Sequence, residues 1–399
     1  MTLVSGPIRV LHVITRMNVA GAQENTMLSC ALMDRSRFAS TLLTGPETGG
    51  QGSLLDECRA RGVALAIEPD LVRAPHPLRD GRALGKLQRV MREGRFDVVH
   101  THTSKAGILG RWAARRARVP VIIHTAHGWA FTRRDAPIVR EFWVALERRF
   151  ARDCDAIVVV GREDQELALS LGVGRPDQYR LIRSGVELEA YRDPALARGA
   201  ARESLGLAST SFVVGSVGRL TRQKAPLDLL AAFVELHREV PTAELVLVGE
   251  GPLRGEVEQA IAHANLQSRV HLLGLRRDIA AILRACDVFA LASHWEGLPR
   301  VVPQAMAAGL AVVATRTGGI DDAVRDGETG WLVSPGDTRA LTARLLELAR
   351  WPEKRRAMGA CASERVEEFS ARRMVDELAA LYTEIVARKG RAGERQPVR

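Results

Sequence analysis

Two series of short apolar runs, each interrupted by helical segments, constrain this chain more than any other feature. The first comprises Ile8–Ile14, Thr41–Thr44, Ala64–Ile67, Val98–His100, Val121–His124 and Ile157–Val160. The second comprises Phe212–Val217, Leu245–Val248, Val270–Leu273, Val288–Ala292 and Ala311–Ala314. Runs of this length, rich in β-branched residues and lacking polar alternation, are strands buried on both faces, and their alternation with helices implies parallel, doubly wound sheets. A chain of 399 residues accommodates two such α/β domains. The alanine- and arginine-rich stretch Asp193–Ala208 reads as the linker, which places the domains at 1–193 and 194–370. A final helical stretch, Ala371–Ala387, carries Met374, Leu378, Leu381, Ile385 and Val386 on one apolar face that needs a partner.

Open α/β sheets bind ligands beyond the carboxyl ends of their strands, so residues just after each run deserve the closest reading. The segment Leu291–Gly309 passes from a strand through Ser-His-Trp-Glu-Gly-Leu-Pro into a small-residue helix that starts between Pro299 and Pro303. Backbone N–H groups of Gly297 and Leu298, the helix dipole and the Glu296 carboxylate suit an anionic or sugar ligand. Arg219 and Lys224 follow the first strand of the second series. A forked guanidinium and a flexible ammonium there suit a diphosphate, and a solvated basic turn is the alternative. Gly249-Glu-Gly251 approximates a dinucleotide fingerprint, but Gly255 falls one place late, and a tight turn explains it equally well. His100 and His102, like Asp153 and Asp155, have metal-ligand spacing without an obvious third ligand, and both pairs are read as structural. His127 beside Gly128 sits at a strand exit with access to a cleft. Strand, Gly21 turn and helix open the first domain.

Composition narrows the partners. The formal net charge of +10, carried almost wholly by arginine, favours an anionic partner. Nucleic acid is excluded as that partner, because only 5% of residues are aromatic and no basic–aromatic interleaving appears. Five widely spaced cysteines, with no C-x-x-C pair, read as small core residues in a reducing compartment. The N-terminus lacks a signal-peptide pattern and no apolar run approaches a membrane span, so a cytoplasmic location is expected.

These residues together resemble glycosyltransferase family 4, with the closest match running through Gly218-Arg219-Leu to Lys224, Val248-Gly-Glu-Gly-Pro, Ser293 to Gly297, Ala305 to Gly309 and Asp326 to Val333. In the first domain, Gly21-Ala-Gln-Glu24 and Val99–Gly110 resemble members that build bacterial surface polysaccharides. The resemblance implies the GT-B fold: two Rossmann-like domains facing a central cleft, with the last helix returning to the first domain. It implies a retaining, metal-independent transfer from a nucleotide-sugar donor to a saccharide or lipid-diphosphate-linked acceptor, with no cofactor. By the same resemblance Arg219 and Lys224 grip the donor diphosphate. Glu296 contacts the sugar, and Gly297, Leu298 and Pro299 offer backbone groups. His127 reaches the transferred sugar, and Gly21 lies near the diphosphate. The family's second glutamate is replaced by Gln304, its first-loop double glycine by Ala20-Gly21, and its Lys-Gly by Lys224-Ala225.

On the acceptor side Lys105, Arg133 and Arg134 head a group of basic residues that also includes Arg111, Arg115, Arg116, Arg140, Arg148 and Arg149. Trp129, Phe131, Phe142 and Trp143 lie among them. An anionic membrane surface, with the enzyme peripheral at the inner face of the plasma membrane, and a solvated helix with inward aromatics both fit. Two other functions stay open: an epimerase of the same fold, and a non-catalytic nucleotide-sugar-binding subunit, which Gln304 suggests.

Overall fold

The computed structural model describes residues 6–47, 52–131, 136–193, 195 and 197–390. The chain divides into two compact units, one running to Gly185 and resuming at Ala371, the other spanning Val186–Ser370.

The first unit is built on β1 (Ile8–Ile14), β2 (Phe38–Thr44), β3 (Ala64–Ile67), β4 (Val98–His102), β5 (Val121–Ala126), β6 (Ala156–Val159) and β7 (Tyr179–Leu181). They form one seven-stranded sheet in the order β3-β2-β1-β4-β5-β6-β7, every pairing parallel. Strand order reverses between β1 and β4, which opens a crevice at their carboxyl ends. One face of the sheet packs on the helix Ala371–Lys389, whose Met374, Leu378, Leu381, Tyr382, Ile385 and Val386 join Val10, Ile14 and Val98 in one core. The apolar face of that helix thus finds its partner within this unit. The other face takes the helix Ser104–Arg116, which lies close because Gly107 and Gly110 have no side chain: a Cβ on them would come within 2.6 Å of His124 and Thr101.

The second unit is built on β8 (Phe212–Val217), β9 (Ala243–Val248), β10 (Val270–Leu272), β11 (Val288–Leu291), β12 (Ala311–Thr315) and β13 (Gly330–Val333). They form a parallel six-stranded sheet in the order β10-β9-β8-β11-β12-β13, with the reversal between β8 and β11. The sequence reading assigned no strand to Gly330–Val333.

Two expectations need correction. The boundary falls at 185/186 instead of 193/194, and Asp193–Ala208 is not simply a linker. It contains the helix Arg198–Ser204, whose Arg202 is buried and donates to Asp287 Oδ2 at 2.7 Å. Arg198 (2.6 Å), Arg355 (3.0 Å) and the Val213 N–H (2.8 Å) also converge on Asp287, pinning two helices to the sheet. Cysteines 30, 58, 154 and 286 are buried as expected, whereas Cys361 is exposed. The Asp153–Asp155 pair is structural: Asp153 meets Arg115 and Arg149, and Asp155 accepts from the Ile122 N–H and pairs with Lys389.

Candidate active site

In the second unit the candidate residues gather at the β8/β11 reversal. Lys224, after β8, forms an ion pair with Glu296, after β11, and Ser293 Oγ donates to the same carboxylate oxygen at 2.6 Å. The Lys224 side chain is 17% exposed and that of Glu296 only 6%, so the pair is partly desolvated and its orientation is held. The loop Ser293–Arg300 is braced by three hydrogen bonds, two with Gln223 and one with Gly319. The His294 N–H donates to the Gln223 carbonyl (2.8 Å), Gln223 Nε2 donates to the Trp295 carbonyl (3.0 Å), and the Gly319 N–H donates to the Gly297 carbonyl (3.0 Å). No backbone carbonyl among the described residues takes the N–H of Gly297 or Leu298. Arg219 is exposed, has no ion-pair partner among the described residues, and shares a shallow pocket with Lys224 and Gly218.

The helix after this loop spans Val301–Ala307, and six of its seven residues are buried; Gln304 is the exception, half-buried. At only seven residues this helix contributes little dipole, so the backbone loop and the two cations carry the anion-binding character. The approximate glycine fingerprint is explained by packing: a Cβ on Gly249 would lie 2.0 Å from the Gly218 carbonyl, and one on Gly251 would lie 2.3 Å from that of Leu220. Those glycines let the β9 exit support the Arg219 loop. A larger cavity of about 580 Å³, lined by Arg198, Asp287 and Leu310, lies at the opposite, amino end of these strands and is not where such a sheet binds its ligand.

Ala225 closes the Lys224 turn at φ +44°, a left-handed conformation that favours glycine. Its counterpart in the first unit is Thr103, at φ +61° and ψ +162°, where a β-branched residue is strained. Thr103 follows β4, and its hydroxyl meets that of Thr15, after β1, at 3.1 Å. The strained Thr103 thus sits at the carboxyl end of β4, at the β1/β4 reversal, a signal the sequence does not carry.

At that edge the structure brings together more histidines than sequence reading linked. His102 Nδ1 lies 3.2 Å from Nε2 of half-buried His127, and His102 Nε2 lies 3.0 Å from Nδ1 of His12 on β1. His100 contacts the Tyr382 and Thr125 hydroxyls, each at 2.6 Å. His12, His100 and His102 cluster closely, yet both nitrogens of His100 and of His102 are engaged in these hydrogen bonds, so the chemistry of the group is that of a neutral imidazole network. Burial pushes His12 down to about 3 and holds His100 and His102 well below the usual range, helped for the latter two by neighbouring histidines. Gly21 is the exposed first residue of the helix Gly21–Ala31 after β1.

The acceptor-side expectations fare differently. Lys105 is half-buried and tied to Asp80 (2.6 Å) and the Ala74 carbonyl. Arg133 and Arg134 lie outside the described residues. Arg111 is fully buried against Glu147 at 2.7 Å, not on a surface. Of the four aromatics, Phe131 is buried, Trp129 stacks on it, Trp143 packs on the same core, and only Phe142 is exposed. Ile138, Val139 and Phe142, on the helix Pro137–Ala151, are all exposed. No helix among the described residues is long and apolar enough to cross a membrane.

Comparison with known proteins agrees with this architecture. Residues 197–365 match the family described as glycosyl transferases group 1, and residues 20–185 match the glycosyl transferase 4-like domain. An Escherichia coli enzyme named UDP-Gal:alpha-D-GlcNAc-diphosphoundecaprenol alpha-1,3-galactosyltransferase is 31% identical over 386 residues, covering 96% of this chain and 98% of its own. The putative glycosyltransferase EpsD of Bacillus subtilis is 28% identical, over 75% of this chain and 79% of its own. Among solved structures, Anabaena HepE in complex with UDP superposes with a TM-score of 0.80 at 23% identity, over 94% of this chain and all of its own. With two parallel sheets of this topology and matches along nearly the whole chain, the protein belongs to the family 4 glycosyltransferases of GT-B fold.

Proposed function

We propose that this glycosyltransferase takes a sugar from a nucleotide-sugar donor and passes it, with retention at the anomeric carbon, to a lipid-diphosphate-linked saccharide during surface-polysaccharide assembly. The observation that carries the reading is the β8/β11 reversal, where the exposed Arg219 guanidinium lies beside the braced Lys224–Glu296 pair. A donor diphosphate placed there meets Arg219 as a two-pronged donor and Lys224 as a point charge. Glu296 and the Gly297–Pro299 backbone are then left to the sugar hydroxyls, and Gln304 to the ribose. The acceptor hydroxyl attacks from the face that the diphosphate leaves, and a leaving phosphate oxygen takes its proton. Arg219 and Lys224 stabilise the charge that grows on the diphosphate, so no metal is required and turnover survives chelation.

The acceptor class is supported by the E. coli relative, whose name specifies a diphosphoundecaprenol-linked acceptor and which aligns over 96% of this chain. Exposed Ile138, Val139 and Phe142 on a helix that also bears Arg140 favour contact with an anionic membrane that presents such an acceptor. The test is release of nucleoside diphosphate from a panel of UDP-, GDP- and ADP-sugars in bacterial lipid extract, with Glu296→Ala alongside. Release from one donor, stimulated by lipid and abolished in the variant, is expected, with the product in the donor's anomeric configuration. No release from any donor despite nucleotide binding overturns the reading.

A further inference from the structure

The cavity of about 580 Å³ at the amino end of the second sheet carries positive charge that its carboxylate does not balance. Arg198, Arg284, Arg355 and Arg356 line it, and Asp287 is the one acid among the described lining residues. That carboxylate is also shared. Arg198 and Arg355 both meet its Oδ1, and buried Arg202 takes its Oδ2, so three guanidiniums face one group that is only 6% exposed. Burial, with Arg198, Arg356 and Arg202 nearby, outweighs the pull of Asp287 and holds Arg355 below its ordinary value.

The cations at this cavity are fixed in place. Arg198 also donates to the Cys286 carbonyl at 3.1 Å and Arg355 to the Leu348 carbonyl at 2.8 Å, and the Arg355 guanidinium lies 5.2 Å from the centre of the Phe212 ring. A guanidinium has five N–H donors. The described bonds take two from each of these arginines, so each retains three. The wall that carries Arg355 and Arg356 is close-packed as well: a Cβ on Gly359 would come within 2.1 Å of the Gly309 carbonyl, which seats the helix Pro352–Arg365 against the turn into β12. Doubly wound sheets bind nucleotides at the opposite, carboxyl end of their strands, so the donor leaves these cations unused.

We propose that this cavity is a second anion site, which takes the phosphate or diphosphate group of a soluble small molecule other than the donor. Its volume is that of ordinary small-molecule sites. Fixed guanidiniums match phosphate oxygens with paired N–H donors. A phosphate group offers three oxygens, enough to engage Arg198, Arg355 and Arg356 together, where a carboxylate offers two. None of the described lining residues is an exposed large apolar side chain, so a bilayer has nothing to hold there. The site stands whether or not Arg219 and Lys224 grip the donor.

The test is hydrogen exchange of the full-length protein with inorganic pyrophosphate at about 0.15 M salt, where attraction between exposed charges is screened. The unmodified chain is compared with Arg219→Ala, Arg198→Gln and Arg356→Glu. Protection is expected in 284–287, 308–310 and 355–360, saturating with pyrophosphate and retained in Arg219→Ala. Arg198→Gln and Arg356→Glu should each weaken that binding roughly tenfold or more. Both variants should fold: Arg356 is exposed and pairs with Glu353 on its own helix, and Arg198→Gln leaves Asp287 with Arg202, Arg355 and the Val213 N–H. No protection of these segments, or protection that neither variant weakens, overturns the proposal, and so does protection that Arg219→Ala abolishes. Vesicles containing phosphatidic acid, without pyrophosphate, should leave the segments unprotected; protection by vesicles alone would overturn the assignment to a soluble ligand.

Discussion

The two sheets share a topology and differ in the chemistry at their reversals. In the first unit the loops after β1, β4 and β5 rest on neutral imidazoles buried in the sheet, whereas in the second the loops after β8 and β11 are joined by the Lys224–Glu296 ion pair beside exposed Arg219. Neutral rings with shared protons give directional hydrogen bonding without charge, which suits orientation of sugar hydroxyls. A partly desolvated lysine with an exposed guanidinium gives concentrated positive charge, which suits a diphosphate. Each reversal also holds one non-glycine residue at positive φ, Thr103 and Ala225, so both edges are strained where they are chemically equipped.

Acid separates the units most strongly. A histidine held neutral in the fold has a folded pKa below its unfolded value, so its contribution is present above about pH 6.5 and is lost as pH falls. At pH 5 this loss is roughly 2 kcal/mol for each of His12, His100, His102 and His124 that remains neutral. In the second unit burial pushes the Glu244 carboxyl up, but hydrogen bonds from Ser211 and His271 outweigh it and hold the group below its usual range. That contribution is lost only below about pH 4.5. Hydrogen exchange at pH 5 should therefore show β1, β4 and β5 losing protection while β8, β11 and β12 keep theirs. Equal loss in both sheets would break the contrast.

Substitution at the second reversal sharpens it next. Arg219→Ala should lower turnover about 10²- to 10³-fold at an unchanged melting temperature, because the side chain is exposed and unpaired by other described residues. Lys224→Ala should lower turnover comparably and also cost about 1–3 kcal/mol of stability, since it leaves the buried Glu296 carboxylate with Ser293 as its one side-chain partner among the described residues. Kinetics together with thermal melts distinguish the two, and near-normal turnover in both would sink the diphosphate assignment. The smallest effect is expected from Ala225→Gly. Relief of left-handed strain of about 1–2 kcal/mol, less the added freedom of the unfolded chain, should raise stability by up to about 1 kcal/mol. A lower melting temperature would show that the turn is not strained.

The sequence made the strands legible because strands buried on both faces are continuous apolar runs; β1, β3 and β8 begin and end where the runs do. Gly330–Val333 escaped because a four-residue segment opening on glycine gives too little pattern. The boundary was misplaced because Ala197–Arg202 looks like solvated linker until Asp287, far along the chain, is seen to hold Arg198 and Arg202. Motif spacing singled out Lys224, Glu296 and His127, but not what touches them. His12 was passed over as one polar residue inside β1, since only the β1–β4 register brings it opposite His100. Two strands that each carry a histidine in an otherwise apolar run were the available signal. The Lys105 ion pair is hidden from the sequence for a related reason: its partner, Asp80, belongs to a helix that sequence spacing does not bring near.

The most direct test of the central claim, that the β8/β11 reversal holds the donor diphosphate, is hydrogen exchange of the full-length protein titrated with UDP, GDP and ADP in turn. The nucleotide that binds should protect amides in 218–225 and 293–304, and Arg219→Ala should abolish that protection. Binding that leaves both segments unprotected, with protection elsewhere, would contradict the account.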